Sequence, residues 1–268
     1  MTWNVMRRPR LGMPALIEFS SVEENAALCS SLELSFVELN MNMPYCFPEN
    51  LAPRMLERVT EETGVGFTMH MPDDLDLASM HRSVREGAVR RAMESVDWAG
   101  EAGVELLNFH INPGIYFTLP GHRVWIYDKF YDMFEKNILD VFQTIIDKAK
   151  EAGVKVSVEN VCNFDLDFVA RALCKLTKID GFHLTWDVGH DAKTSFRERE
   201  VLLKYERNLA HMHLHDFDGR TDHQVLFKGQ LDIMWLLMFA SSHGMSVVIE
   251  TKTIDSVVDS VNALNKRL

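Results

Sequence analysis

The chain alternates short, mostly apolar runs with longer segments in which apolar residues recur at helical spacing. The short runs hold five to seven residues each, and their continuous apolar character is typical of parallel strands covered on both faces. We predict eight strands, over Ala15–Phe19, Phe36–Asn40, Gly66–Met71, Leu106–Ile111, Lys155–Val161, Phe182–Asp187, Ala210–His215 and Ser246–Thr251.

The segments between these runs have the spacing of amphipathic helices. Two of them end in the same tetrapeptide, Glu-Ala-Gly-Val, at positions 101–104 and 151–154. The glycine can take the left-handed conformation that ends a helix, and the next predicted strand begins within a few residues. We predict helices over Glu86–Ala102, Tyr127–Ala152, Leu166–Leu176, Asp232–Ser242 and Ile254–Leu268.

Eight strand–helix units in one chain indicate an α/β protein, a single (β/α)8 TIM barrel that spans residues 1–268. A doubly wound open sheet is the alternative, but it calls for a glycine-rich phosphate turn, and no G-x-G-x-x-G follows any predicted strand. Pro14 stands at the edge of the first predicted strand, where the preceding run is irregular. No segment rich in proline, glycine or serine divides the chain.

Charge and composition restrict the classes of partner. With 28 basic and 39 acidic residues the net charge is -11, which disfavours nucleic acids and anionic membranes unless a local basic strip exists. The dense basic cluster Arg7-Arg8-Pro9-Arg10 is interpreted as solvated. The sequence lacks a membrane-spanning run and a signal-peptide pattern at its start, so we expect a cytoplasmic protein. The four scattered cysteines are expected to be reduced structural thiols.

Polar residues stand at the carboxyl end of almost every predicted strand, where a TIM barrel places its active site. Each alone is consistent with a hydrogen-bonded core residue or a simple ion pair, but so many at one barrel mouth indicate a functional site. The set comprises Glu38, His70, His110, Glu159, Asp187, His190, His213, His215, Asp216 and Glu250.

Buried carboxylates are costly unless they are paired or bind a cation. Glu159, Asp187, His213 and Glu250 come from four successive predicted strands and offer oxygen and nitrogen donors. This set favours Mn²⁺ or Zn²⁺, with Mg²⁺ or Co²⁺ as alternatives, and the absence of cysteine ligands disfavours a purely structural zinc site.

Four short runs together resemble the xylose isomerase-like TIM barrel superfamily, which contains sugar isomerases and epimerases as well as the endonuclease IV enzymes of DNA repair. The resemblance spans nearly the whole chain and rests on Val158-Glu159-Asn160, Trp186-Asp187-Val188-Gly189-His190, His211-Met212-His213-Leu214-His215-Asp216 and Val248-Ile249-Glu250.

The sugar epimerase branch implies one divalent ion held by Glu159, Asp187, His213 and Glu250. Glu159 and Glu250 would also be the catalytic acid and base, moving a proton through a metal-stabilised enediolate. His190 would bind a substrate oxygen, and His70 and His110 would line the pocket. The substrate would be a small sugar, a sugar phosphate or a related polyol or keto acid.

Endonuclease IV enzymes are the alternative resemblance, with three zinc ions and hydrolysis of abasic DNA. Eight of their nine ligand positions are matched here, by His70, His110, Glu159, Asp187, His190, His213, His223 and Glu250. The ninth, an aspartate, falls on Thr221, and the neighbouring Asp222 would replace it only if the loop shifts. The acidic run Asp73-Asp74-Leu75-Asp76 and the ending Phe227-Lys228-Gly229-Gln230 also depart from that pattern.

The insertion at positions 112–125 is aromatic and punctuated by proline and glycine. We interpret it as a substrate lid in which Tyr116 and Trp125 stack on a sugar and Arg123 meets an anionic group. A loop packed on the barrel rim and a contact between copies of the chain are equally consistent alternatives. The sequence leaves the choice between monomer and homo-oligomer open, as well as a third function, a barrel that binds a ligand without converting it.

Overall fold

The computed structural model describes residues 8–267. Residues 1–7, which include Arg7 of the basic cluster, and Leu268, the end of the last predicted helix, lie outside the described residues. The strands are β1 (Arg10–Pro14), β2 (Phe36–Asn40), β3 (Gly66–His70), β4 (Val104–His110), β5 (Tyr116–Leu119), β6 (His122–Trp125), β7 (Lys155–Glu159), β8 (Phe182–Asp187), β9 (Leu209–Leu214) and β10 (Ser246–Ile249). The α-helices are α1 (Val22–Ser31), α2 (Pro53–Thr63), α3 (Arg82–Ala102), α4 (Ile126–Lys129), α5 (Tyr131–Ala152), α6 (Asp167–Leu176), α7 (Val188–Lys193), α8 (Arg197–Lys204), α9 (Ile233–Ser242) and α10 (Ile254–Asn265).

Eight strands close into a parallel barrel in the order β1-β2-β3-β4-β7-β8-β9-β10, while β5 and β6 form a separate antiparallel hairpin. This confirms the predicted (β/α)8 TIM barrel. The register brings the carboxyl ends of neighbouring strands level, since His110 pairs with Glu159 and Asp187 pairs with His213. Strand-end side chains therefore converge on one mouth of the barrel.

The first predicted strand, Ala15–Phe19, is wrong. The strand is β1, which pairs with β2 through Gly12, Met13 and Pro14 and ends at the proline. A proline at the last position of a strand ends the ladder instead of starting it. The apolar run that follows is a loop that borders the barrel mouth, with Ile17 80% exposed and the amide of Leu16 bound to the side chain of Asn25.

The other predicted strands and helices are present, with shifted ends. The helix predicted over Tyr127–Ala152 is interrupted at Phe130, where the backbone leaves the helical region, and divides into α4 and α5. Gly103 and Gly153 end α3 and α5 with φ of 69° and 72°, which confirms the predicted left-handed glycine caps. Of the helices within residues 8–267, none has the length and apolar character needed to cross a membrane.

Candidate metal centre

Four side chains meet at the carboxyl ends of β7 to β10, as the sequence predicts. Glu159 ends β7, Asp187 ends β8, His213 lies near the end of β9, and Glu250 follows β10. Nδ1 of His213 lies 3.2 Å from Oε2 of Glu159, 3.2 Å from Oε2 of Glu250 and 4.0 Å from Oδ2 of Asp187. All four residues are buried. The structure therefore brings three carboxylates within 4.0 Å of one imidazole nitrogen.

The hydrogen bonding of this group fits a bound cation. Nδ1 of His213 and Oε2 of Glu250 are buried and lack a hydrogen-bond partner among the described residues. A buried polar atom without a partner costs roughly 1–3 kcal/mol, and both atoms are of types that ligate divalent ions. The residues present therefore fit a divalent metal with mixed oxygen and nitrogen ligands.

The carboxylates of this group are ionised at neutral pH. Burial raises the pKa of Glu159, but the imidazoles of His213 and His110 outweigh burial and hold that pKa well below its usual range. Burial likewise raises the pKa of Glu250, and the neighbouring His213 and Lys252 lower it well below the usual value. Burial also raises the pKa of Asp187, but the imidazoles of His190 and His215 outweigh burial and lower that pKa. Ionised carboxylates are the form that binds a metal ion.

Neighbouring side chains that the sequence analysis did not single out hold the carboxylate of Glu159 and the backbone of Asp187. Nδ2 of Asn108 donates to Oε2 of Glu159 at 2.5 Å. Oδ1 of Asn160 accepts from the backbone N–H of Asp187 at 2.8 Å, and Nδ2 of Asn160 donates to Glu198 at 2.9 Å. Asn108 stands two residues before His110 on the same face of β4, so strand alternation would have found it, whereas Glu198 lies on a distant helix and gives no sequence signal.

Behind His213 lies a second buried polar group that begins with Glu38 on β2. Nε2 of His213 approaches Oε2 of Glu38 to 2.8 Å, although its N–H is not aligned with that oxygen. Oε1 of Glu38 lies 3.2 Å from Nε2 of His211, whose Nδ1 lies 2.6 Å from Oγ of Ser246. Burial raises the pKa of Glu38, but the two imidazoles lower it to about 2. Glu38 therefore lies behind the candidate ligand His213 and supports it, without being one of the four candidate ligands itself.

His70 and His110 form a further set of donors that shares Glu159 with the first. The Nε2 atoms of both rings lie 3.4 Å from Oε2 of Glu159. Their Nδ1 atoms lie 3.6 and 3.7 Å from Oδ1 of Asp73, a carboxylate on the exposed rim. The structure thus places both predicted histidines beside the centre.

His190 and His223 also border the centre. Nδ1 of His190 lies 3.4 Å from Oδ2 of Asp187, and Nε2 of His223 lies 3.6 Å from Oε2 of Glu250. Asp222 faces both rings, at 3.7 Å from Nε2 of His190 and 3.3 Å from Nδ1 of His223. Nζ of Lys193 lies 2.9 Å from Oδ2 of Asp222, so an ammonium group already neutralises this carboxylate.

Asp216, also in the predicted strand-end set, has a structural role. Its carboxylate is buried and accepts the backbone N–H groups of Phe217, Gly229 and Leu231 at 2.8, 2.8 and 3.0 Å. These bonds satisfy the carboxylate and fasten the loop that follows β9. Asp216 therefore positions the loop that carries Asp222 and His223.

The aromatic insertion is built around the β5–β6 hairpin. The guanidinium of Arg123 lies 4.6 Å above the ring of Tyr116, and that ring lies 4.9 Å from the ring of Trp125. Arg123 is thus engaged by its own hairpin, while Phe117 remains 57% exposed at the tip. The assignment of Tyr116, Arg123 and Trp125 to a substrate lid remains a prediction.

A cavity of about 300 Å³ opens beside the centre. Glu38, His70 and Glu250 form its inner wall, and the apolar loop after β1 forms part of the rim. Lys252 also lines it, with Nζ 2.7 Å from Oε1 of Glu250. Concave sites with a few convergent polar groups are where small molecules bind.

Fold and site together define a TIM barrel with a carboxylate–histidine centre at the carboxyl ends of its strands. The chain belongs to the xylose isomerase-like TIM barrel family, whose model matches residues 26–266. It is 27% identical over 236 residues to the uncharacterized protein MJ1311 of Methanocaldococcus jannaschii, with 84% of this chain and 76% of that protein covered. Its fold is similar to that of a D-tagatose 3-epimerase-like protein (TM-score 0.77, 22% identity, 96% of each chain covered). It is also similar to an IOLI protein with a bound zinc atom (TM-score 0.74, 13% identity, 96% of this chain and 97% of that one).

Proposed function

We propose that this protein is a divalent-metal-dependent isomerase or epimerase that acts on a small, uncharged sugar or keto-polyol, whose carbonyl group acidifies the neighbouring C–H bond. The observation that carries the proposal is the pairing of Glu159 and Glu250, each 3.2 Å from Nδ1 of His213. Two carboxylates that flank one cation site beside a cavity are the groups needed to remove a proton on one side of a substrate and return it on the other.

The comparisons support this proposal without deciding the reaction. One similar fold carries the name of a D-tagatose 3-epimerase-like protein, and another contains a zinc atom. The identities of 22% and 13% establish likeness of fold, and one fold supports many reactions. The reaction proposed for this chain therefore follows from its own site residues, Glu159, Asp187, His213 and Glu250.

Glu159, Asp187, His213 and Glu250 would hold the metal ion, with Mn²⁺ or Zn²⁺ favoured. When bound, such an ion supplies Lewis-acid stabilisation of the negative charge that develops on a carbonyl oxygen. Glu250 borders the cavity, so we assign it to the face from which a substrate enters, with Glu159 opposite. Lys252 holds Oε1 of Glu250 at 2.7 Å, which leaves Oε2 directed to the centre.

Charge at the barrel mouth favours a neutral substrate over a sugar phosphate or keto acid. Glu38, Glu159, Asp187 and Glu250 are all buried there, whereas Lys252 and Lys193 are each paired with a carboxylate. With Lys252 counted, the four carboxylates leave a formal charge of three negative units, and one divalent ion reduces it to one while the neighbouring imidazoles are neutral. A phosphate would therefore meet net repulsion, while hydroxyl groups would find carboxylate, imidazole and amide partners.

A zinc phosphodiesterase of the endonuclease IV type is the second candidate, favoured by one observation. His70 and His110 reach 3.4 Å from Glu159, which would suit a second ion. The pairing of Asp222 with Lys193 weighs against a third, and Asp73 on the rim would repel a phosphate backbone.

A conversion assay with variants tests the proposal. Metal-loaded wild type is incubated with a panel of ketohexoses and keto-polyols, and products are separated by chromatography; abasic duplex DNA is tested for nicking in parallel. Glu159→Gln and Glu250→Gln should abolish conversion with the fold intact by circular dichroism, whereas Glu57→Gln on the exposed face of α2 should remain active. Nicking without sugar conversion, or full activity in both site variants, would reject the proposal.

A further inference from the structure

His215 lies beside the centre, next to Asp187 and Glu250, and its hydrogen bonds define which ring nitrogen carries a proton. The backbone N–H of His223 points at Nδ1 of His215 from 2.7 Å. A backbone amide can only donate, so Nδ1 must offer a lone pair. The neutral ring therefore carries its proton on Nε2.

That protonated nitrogen faces a proposed metal ligand. Nε2 of His215 lies 3.1 Å from each of the two carboxylate oxygens of Asp187. Oδ1 of Asp187 also accepts the backbone N–H of His190 at 2.7 Å. Both His215 and Asp187 are fully buried. The Asp187 carboxylate is thus held by two donors, the His215 ring and the backbone N–H of His190.

The surroundings hold the His215 ring in this one place. A Cβ atom added at Gly189 would lie 2.0 Å from Cε1 and 2.4 Å from Nδ1 of His215, so the ring fills space that only glycine leaves open. On its other face the ring stacks on His223, with centroids 4.1 Å apart and planes inclined by 10°. Close packing against Gly189, stacking on His223 and two hydrogen bonds fix the position of the His215 ring. A side chain fixed in this way can orient the residues that it contacts.

We propose that His215 is a positioning residue of the metal centre: its Nε2–H orients Asp187 towards the ion, its ring orients His223, and it does not ligate the ion itself. The proposal rests on the proposed function, because it takes Asp187 as a ligand. A histidine that bound a metal through Nε2 would carry its proton on Nδ1, facing the N–H of His223. The observed contact excludes that arrangement.

Metal affinity in matched variants tests the role. His215→Phe keeps a flat ring and removes the donor, and should weaken Zn²⁺ binding to metal-free protein about 10- to 100-fold in competition with a chromophoric chelator. His215→Gln retains a donor group and should recover most of the affinity. His122→Phe, on the exposed hairpin, should bind as wild type does. The visible spectrum of bound Co²⁺ should keep its shape in His215→Gln, since no ligand is lost.

The tautomer of His215 can also be measured in the wild-type protein, so this test holds even if a variant folds poorly. Nitrogen-15 spectra of labelled histidines, assigned through His215→Gln, should show the proton of the neutral His215 ring on Nε2. A proton on Nδ1, wild-type Zn²⁺ affinity in His215→Phe, or a changed Co²⁺ spectrum in His215→Gln would overturn the proposal. A wild type that binds no divalent metal would defeat the metal centre itself, and that result is separable because the tautomer is measured independently.

Discussion

Replacing Gly189 with alanine tests whether the centre depends on the close packing of α7 against His215. The new methyl carbon would lie 2.0 Å from Cε1 of the His215 ring, whereas carbon atoms in contact stand about 3.5–4.0 Å apart. The ring would have to move by about 1.5 Å. Such a shift takes it out of reach of the backbone N–H of His223, now at 2.7 Å, and of Asp187, now at 3.1 Å.

The expected cost follows from these contacts. Overfilling a packed interior costs about 1–3 kcal/mol, and a lost hydrogen bond to a charged group costs about 1.5–3 kcal/mol. The higher helix propensity of alanine returns about 1 kcal/mol. We therefore expect Gly189→Ala to lower the free energy of unfolding by about 2 to 5 kcal/mol and to weaken metal binding as well.

Urea denaturation of metal-free protein, followed by circular dichroism, measures the loss. Gly87→Ala is the matched control, because Gly87 is also helical and a Cβ there meets nothing within 4 Å. It should be neutral or should stabilise the protein by about 0.5–1 kcal/mol. Equal stability of Gly189→Ala and wild type would refute the account of this packing.

Three further predictions concern charge and thiol chemistry. Lys193→Met removes the ammonium from Asp222 and should increase the number of zinc ions bound at saturation in native mass spectrometry; an unchanged count would show that Asp222 is not poised to bind metal. Glu38 has its pKa lowered to about 2 from an ordinary 4.5, so its contribution to stability is complete above about pH 4.5 and is lost as the pH falls towards 2. Glu38→Gln should therefore flatten the acid limb of metal-free stability between pH 5 and about 2, and an identical pH profile would argue against this ionisation. Burial raises the pKa of Cys29 and Cys46 to about 12, whereas a hydrogen bond from Tyr205 lowers the pKa of Cys174. Iodoacetamide at pH 8 should therefore label Cys174 before Cys29 and Cys46, as measured by peptide mapping. Equal labelling of Cys29 in the folded protein would contradict this prediction.

The sequence was informative where periodicity and strand ends coincide. The barrel follows from repeated apolar runs, and residues at the ends of parallel strands share one mouth, so Glu159, Asp187 and His213 could be grouped without coordinates. The first strand was misplaced because the run Ala15-Leu16-Ile17 is as apolar as a strand, and only its pairing shows that the chain has already left the barrel at Pro14.

Other features depend on contacts between distant segments. Glu198 reaches Asn160 from a helix that follows three further elements, and the loop after β9 folds so that Asp222 meets Lys193 on α7. Neither contact leaves a periodic or spacing signal in the sequence. The need for glycine at position 189 can be recognised only once the position of His215 is known. The residue is glycine because the His215 ring occupies the space of a Cβ atom, and not because the backbone turns there.

Metal analysis with ligand assignment tests the central claim most directly. Crystals of protein saturated with Mn²⁺ or Zn²⁺, measured at the absorption edge of the metal, should show the principal ion among Glu159, Asp187, His213 and Glu250, with elemental analysis near one ion per chain. Three ions per chain that engage His70, His110 and His223, or an ion located away from these four ligands, would contradict the account and favour the phosphodiesterase.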